Sequence, residues 1–212
     1  MNWEVLALGA FEANCTVLTD PGGDAVFVDP GAEAEALLVL LKDRGLTLRK
    51  ILLTHGHIDH ISALDGLLSA CPVPVILGNE DIRWAFTAVN SFPPYVKVPS
   101  IPSGLEPVSD GTRIRFGAVD FSVIATPGHT PGGICFYSES EKLLISGDTL
   151  FAGSVGRTDL PGGDWEALQV SLAKLMKLPA DTVVVPGHGG LTDIGTELKT
   201  NPYLRKGANY GN

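Results

Sequence analysis

Thr54-His55-Gly56-His57-Ile58-Asp59-His60 sets three imidazoles and a carboxylate within six residues, directly after the apolar run Ile51-Leu52-Leu53. Packing alone does not account for that density of ionisable groups. On a strand-end loop His55 and His57 point the same way. Asp59 and His60, at the start of the following helix, face a second position nearby. Neutral imidazole nitrogen and carboxylate oxygen suit zinc or iron. The other histidines stand in comparable places: His129 in Pro127-Gly128-His129-Thr130-Pro131-Gly132-Gly133 and His188 in Pro186-Gly187-His188-Gly189, with Asp148 in Ser146-Gly147-Asp148-Thr149. The chain has five histidines and all five lie in these turns, so none is left for a casual surface or core role. The chemistry implied is that of a bound metal that acidifies water.

Such ligands need strands that end at one place. Short runs rich in Val, Ile, Leu, Phe or Thr, bounded by Gly, Pro or Asp, predict strands at Glu4–Leu8, Cys15–Thr19, Ala25–Asp29, Ile51–Thr54, Val73–Leu77, Phe121–Ala125, Ile134–Tyr137, Leu143–Ser146 and Thr182–Val185. The ligand-bearing turns follow four of them. Helices are expected over Ala32–Arg44, closed by Gly45, over Ile58–Ala70, and over Trp165–Lys177 behind Asp164 as N-cap. Pro21-Gly22-Gly23 turns one early strand into the next. The Pro-rich stretch Phe92–Pro107 reads as a long irregular excursion, either covering a site mouth with Trp84, Phe86, Phe92 and Tyr95 or lying on the surface.

The 212 residues suffice for one well-buried core, and a single domain over 1–212 is expected. With 44% hydrophobic and 18% charged residues the composition is that of a globular chain. The net charge of −9 argues against a nucleic-acid partner, which calls for a basic face. Apolar runs are too short to span a bilayer, so no membrane partner is expected. The start, Met1-Asn2-Trp3-Glu4, has no basic signal-peptide region. Cys15, Cys71 and Cys135 are odd in number and irregularly spaced, which reads as buried, reduced thiols in a cytoplasmic protein.

Thr54 to His60, followed in order by His129, Asp148 and His188, resembles the metallo-β-lactamase superfamily over nearly the whole chain. The Asp29-Pro30-Gly31 turn fits its N-terminal region. The resemblance implies an α/β (α+β) fold, a four-layer αββα sandwich with mixed sheets and metals at one edge. Gly153-Ser154-Val155-Gly156-Arg157-Thr158-Asp159-Leu160-Pro161-Gly162-Gly163-Asp164 looks like the short bacterial glyoxalase II branch, as does the tail from Gly195 through Asn201-Pro202-Tyr203. By that resemblance two divalent ions (zinc, with iron or manganese as options) are bound. His55, His57 and His129 would hold one, and Asp59, His60 and His188 the other. Asp148 and a hydroxide would bridge them, with Asp59 and Asp148 the catalytic carboxylates. Members that hydrolyse β-lactams usually lack an aspartate at the place of Asp148, which disfavours antibiotic hydrolysis. Longer glyoxalase II enzymes carry a C-terminal helical domain that grips glutathione, whereas 24 residues follow His188 here.

A thiol has a pKa of about 8.5 and can leave as a metal-stabilised thiolate. An amide nitrogen must be protonated, and every histidine is already committed. A small-molecule thioester, hydroxyacylglutathione by resemblance, is therefore the expected substrate. Arg157 is assigned by resemblance to a glutathione carboxylate, against the alternative of a structural ion pair with Asp159 or Asp164. The competing readings are a mononuclear iron persulfide dioxygenase using His55, His129 and Asp148, a lactonase or other esterase, and a non-catalytic binding module. A monomer or small homo-oligomer is expected.

Overall fold

The structure, a computed structural model, describes residues 1–91 and 96–204. Two six-stranded mixed sheets face each other. The first runs in the order β1 (Asn2–Leu8), β2 (Ala13–Thr19), β3 (Asp24–Val28), β4 (Thr47–Leu52), β5 (Val75–Gly78) and β6 (Leu105–Val108). Its first three strands form an antiparallel meander, and the rest pair in parallel. The parallel crossovers carry α1 (Ala34–Asp43), α2 (Ile58–Ile61) and α3 (Leu64–Ala70), and the short α4 (Ile82–Ala85) follows β5. The second sheet is built from β7 (Arg113–Phe116), β8 (Val119–Ala125), β9 (Ile134–Ser138) and β10 (Leu143–Gly147). After the hairpin β11 (Leu150–Phe151) and β12 (Ser154–Val155), α5 (Trp165–Leu175) leads to β13 (Val183–Pro186), β14 (Thr192–Asp193) and α6 (Ile194–Thr200). β13 lies parallel to β10 and β14 completes the edge.

Alternation along the strands divides the interior into three apolar layers. Phe27 of β3 and Ile51 of β4 pack outward against Leu37 and Leu41 of α1 and Leu64 and Leu67 of α3. Their neighbours Val26, Val28 and Leu52 point inward, where they meet Phe121, Phe136, Ile145 and Val185 of the other sheet. On the far side Cys135, Leu144 and Val184 pack under Leu168, Leu172 and Leu175 of α5. Helix, sheet, sheet and helix thus form the four layers expected. Strands buried on both faces read as continuous apolar runs, which is why they are legible in the sequence.

Several boundaries differ from the sequence reading. The helix expected over Ile58–Ala70 is two helices. The Ala63 amide leaves the helical ladder for the Pro30 carbonyl (3.2 Å), and the Ser62 hydroxyl donates to the Gly31 carbonyl. The turn after β3 therefore divides the helix. α1 begins at Ala34 because Glu33, its N-cap, sits in the left-handed region (φ 57°). Part of the excursion at 92–107 is regular, since Leu105–Pro107 pair with β5, while residues 92–95 lie outside the described residues. β7, α4, α6 and the short strands β11, β12 and β14 have no counterpart in the sequence reading. Most are too brief to carry a periodic signal, whereas β7 does alternate, Arg113 and Arg115 outward and Ile114 and Phe116 inward, over four residues. Cys15 and Cys135 are buried thiols and Cys71 is partly covered. No helix among the described residues is long and apolar enough to cross a membrane.

Candidate metal centre

The loops after β4, β8, β10 and β13 meet at one edge of the sandwich and bring all seven residues together. His55, His57 and His129 form one group, and Asp59, His60 and His188 another, with ligand atoms within 4.8 Å of one another in each. Asp148 stands between them. Its Oδ2 is 3.4 Å from His129 Nε2 and 3.7 Å from His188 Nε2, and its Oδ1 is 3.5 Å from His60 Nε2. Donor atoms of a tetrahedral site with bonds of about 2.0 Å lie about 3.3 Å apart. The spacings here lie at or just below that value: His57 Nδ1 to His129 Nε2 is 2.9 Å, His60 Nε2 to His188 Nε2 is 3.2 Å, and His188 Nε2 to Asp59 Oδ2 is 3.3 Å.

The outward nitrogens of the imidazoles decide what faces inward. Thr54 donates its hydroxyl to Asp29 Oδ2 (2.6 Å), so its oxygen can accept from His55 Nδ1 (3.0 Å). His60 Nδ1 donates to Asp29 Oδ2 (3.2 Å), His129 Nδ1 to the Arg157 carbonyl (2.8 Å), and His188 Nδ1 to the Phe11 carbonyl (3.0 Å). Four rings therefore turn Nε2 toward the centre, while His57 turns Nδ1. His55 Nε2 and Asp148 Oδ1 are buried and have no hydrogen-bond partner. A buried polar atom left unpaired is costly. Two such atoms among converging lone pairs fit a divalent cation, with the outward acceptors holding each ring in place.

Asp29 also lies near His55 and His60, close enough to suggest a third ligand group. Its oxygens are already occupied: Oδ1 accepts from the Thr54 amide (2.7 Å), and Oδ2 from the Thr54 hydroxyl and His60. Those bonds make it a brace for His60 and, through Thr54, for His55. Two glycines let the loops close. Gly147 has φ 49°, and a Cβ there would fall 2.2 Å from Thr54 Oγ1. At Gly187 a Cβ would fall 2.0 Å from Asp148 Oδ1. A register shift in β10 between Ile145 and Gly147 helps aim Asp148 at the site.

The two groups differ in charge. Burial, reinforced by the neighbouring imidazoles, keeps His55 neutral well below its ordinary pKa and takes His57 down to about 3. Burial also disfavours charge on His60, but Asp59, Asp148 and Asp29 outweigh it and raise its pKa to about 10. His188 is raised as well, because its bond to Asp59 and the charge of Asp148 overcome partial burial. Asp59 is depressed despite burial by His60 and His188.

Residues that sequence reasoning missed hold this geometry. Asp81 is buried, which raises its pKa against four donors: Gly56 N–H (2.9 Å), Thr130 Oγ1 (2.8 Å), Gly132 N–H (2.6 Å) and Trp84 Nε1 (3.1 Å). It ties the His55–His57 loop to the His129 loop. Asn90 donates to the carbonyls of Gly56 and Ala85, both at 2.7 Å. Asn14 donates to those of Pro186 and Gly189, both at 2.9 Å, and so clamps the His188 loop. No local pattern marks these residues, because each acts on a loop far away in sequence.

A cleft of about 560 Å³ opens onto the centre, walled by Phe11, Ile58, Trp84, Val89, Phe151 and Leu160. Trp84 stands edge-on to His57 (centroids 5.3 Å apart), and Phe151 is tilted toward His188 (6.4 Å). Arg157 also lines the cleft, with its guanidinium paired to Asp159 through Nε (2.6 Å) and Nη2 (2.7 Å).

A family model for the metallo-beta-lactamase superfamily matches residues 8–188. The hydroxyacylglutathione hydrolase GloC of Haemophilus influenzae is 36% identical over 208 residues, covering 96% of this chain and 98% of the relative. Among solved structures, the BLEG-1 B3 metallo-beta-lactamase superposes with a TM-score of 0.89 at 38% identity, covering 96% of this chain and 99% of its own. TTHA1623 in a di-iron-bound form gives 0.85 at 41%, covering 95% and 100%. A four-layer sandwich with its histidines and aspartates gathered at one edge, matched over nearly its full length, places this chain in the metallo-beta-lactamase superfamily.

Proposed function

We propose that this chain is a two-metal thioesterase acting on a hydroxyacylglutathione-like substrate. The observation that carries the reading is the position of Asp148 between two complete donor groups, His55-His57-His129 and Asp59-His60-His188. Divalent ions bound there, zinc, iron or manganese, would bring the pKa of water from about 15.7 to near 7 and polarise a carbonyl. The protein's part is positional. Asp148 keeps the two groups in register. Asp59, ionised throughout the working pH range, orients the attacking water by accepting its hydrogen bond. His129 and His188 are locked by backbone carbonyls, so neither ring turns to deliver a proton to a leaving group. A thiolate needs no such proton, whereas an amine does. The relative named as a hydroxyacylglutathione hydrolase supports the same class. Arg157, which lines the cleft and is paired to Asp159, is the group we assign to a carboxylate of the thiol moiety.

A second reading, β-lactam hydrolysis, draws on the structural relative that bears a β-lactamase name. The test is a rate comparison on metal-loaded protein: lactoylglutathione is expected to be cleaved faster than nitrocefin. Faster nitrocefin cleavage would replace the first reading with the second. Persulfide-dependent oxygen uptake without thioester cleavage would replace both with a dioxygenase.

A further inference from the structure

Among the described residues lining the cleft, Arg157 supplies the one guanidinium or ammonium group. It is fastened at both ends. Its carbonyl accepts from His129 Nδ1 (2.8 Å), which fixes the residue beside the centre, and its guanidinium is forked onto Asp159 at 2.6 and 2.7 Å. Both side chains are more than half exposed, at 61% and 67%. Bidentate geometry is the strong form of this contact. Asp159 takes the Nε/Nη2 edge of the guanidinium and sets its own negative charge there, so a ligand carboxylate meets an already neutralised group and competes with Asp159 for that edge. With that edge taken, the cleft offers mainly apolar walls, among them Phe11, Trp84, Val89 and Phe151, Trp84 beside His57 and Phe151 beside His188.

We propose that Asp159 sets the charge preference of the cleft: by occupying the Arg157 fork it weakens the grip on carboxylate-bearing thiols and leaves selection to an apolar acyl group between Trp84 and Phe151. The inference rests on the thioesterase reading for the identity of the ligand, but the competition is a property of the pair itself. Asp159 acts through Arg157 and is a specificity-determining residue, not a catalytic one.

The test is calorimetric binding to metal-loaded protein of two thioethers that cannot be hydrolysed, S-hexylglutathione and its diethyl ester. Wild type, Asp159→Asn, Arg157→Gln and the double variant form a cycle. Asp159→Asn is expected to bind the diacid about two- to fivefold more tightly, the range of an exposed ion pair, with the gain fading at high salt. The diester should not share the gain, and Arg157→Gln should abolish it. Arg157→Gln should cost more affinity in the Asp159→Asn background than in wild type. Equal losses in both backgrounds, an equal gain for the diester, or no gain at all in a variant with unchanged melting temperature would overturn the proposal. Thioester hydrolysis by wild type, measured separately, tests the underlying reading. If hydrolysis fails while the cycle behaves as expected, the competition between Asp159 and a ligand carboxylate stands and only the thioesterase reading falls.

Discussion

The two candidate donor groups meet at Asp148 yet are built on opposite electrostatic plans. His55, His57 and His129 are three imidazoles, two of them held neutral by burial and by each other. Asp59, His60 and His188 mix carboxylate with imidazole, and there mutual attraction outweighs burial: the acids raise both histidines, and the histidines depress Asp59. The supports differ as well. Asp81 and Asn90 brace the first half through Gly56 and Asn14 braces the His188 loop, while Asp29 holds His60 directly and reaches His55 only through Thr54. The first half thus presents bare lone pairs that await a cation. The second neutralises itself with protons until a cation displaces them.

The largest expected effect removes what the halves share. Asp148→Ala should reduce turnover by more than the about 10–100-fold typical of supporting residues, and should lower metal content while the far-ultraviolet circular dichroism is retained. Near-normal rates with two ions bound would show that the halves do not depend on that carboxylate.

Next in size are the two buried acids. Asp81→Asn sets an NH₂ group against donors now shared by a carboxylate and should cost about 1–3 kcal/mol, with chelator resistance falling most at the three-histidine site. Asp29→Asn should cost about 10–100-fold in metal affinity, mainly at the site containing His60, because that ring loses its outward acceptor. Metal-by-metal titration checks both. Equal effects on the two sites in either variant would remove the division into separately braced halves.

The pH dependence of metal-free protein separates the halves by sign. The His60 pKa is raised from 6.5 to about 10. Its stabilisation is therefore full below about 6.5 and is lost as pH rises toward 10. The His57 pKa is lowered to about 3. Its contribution is full above 6.5 and is lost as pH falls toward 3. His60→Gln should flatten the alkaline side of a melting-temperature profile, and His57→Gln the acid side. The reverse assignment would contradict the electrostatic contrast.

The smallest effects belong to the asparagines. Asn14→Ala and Asn90→Ala each remove neutral hydrogen bonds to loop carbonyls and should cost about 0.5–1.5 kcal/mol in denaturant unfolding. Asn14→Ala should loosen metal at the His188 side only, and a matching loss at the His57 side would blur the comparison.

The candidate donor residues are legible in the sequence because strand-end turns concentrate rare residue types. Five histidines in three Gly-flanked turns stand out whatever the fold. The long strands are legible because burial on both faces demands unbroken apolar runs, as at Ile134–Phe136 and Leu143–Ile145. The break between α2 and α3 is not, because it depends on the Pro30–Gly31 carbonyls, about thirty positions away.

What the chain alone determined is therefore the chemistry: which side chains could bind a cation, and on which turns. Tertiary structure decided how those atoms are held and paired. Asp29 became a brace because Thr54 and His60 converge on its oxygens, and Asp81 because Gly56 and Gly132 bring their amides to it. Arg157 entered an ion pair with Asp159 while its carbonyl fixed His129. Hydrogen bonds between loops depend on the approach of backbone segments far apart in the chain, and residue type and spacing do not encode that distance.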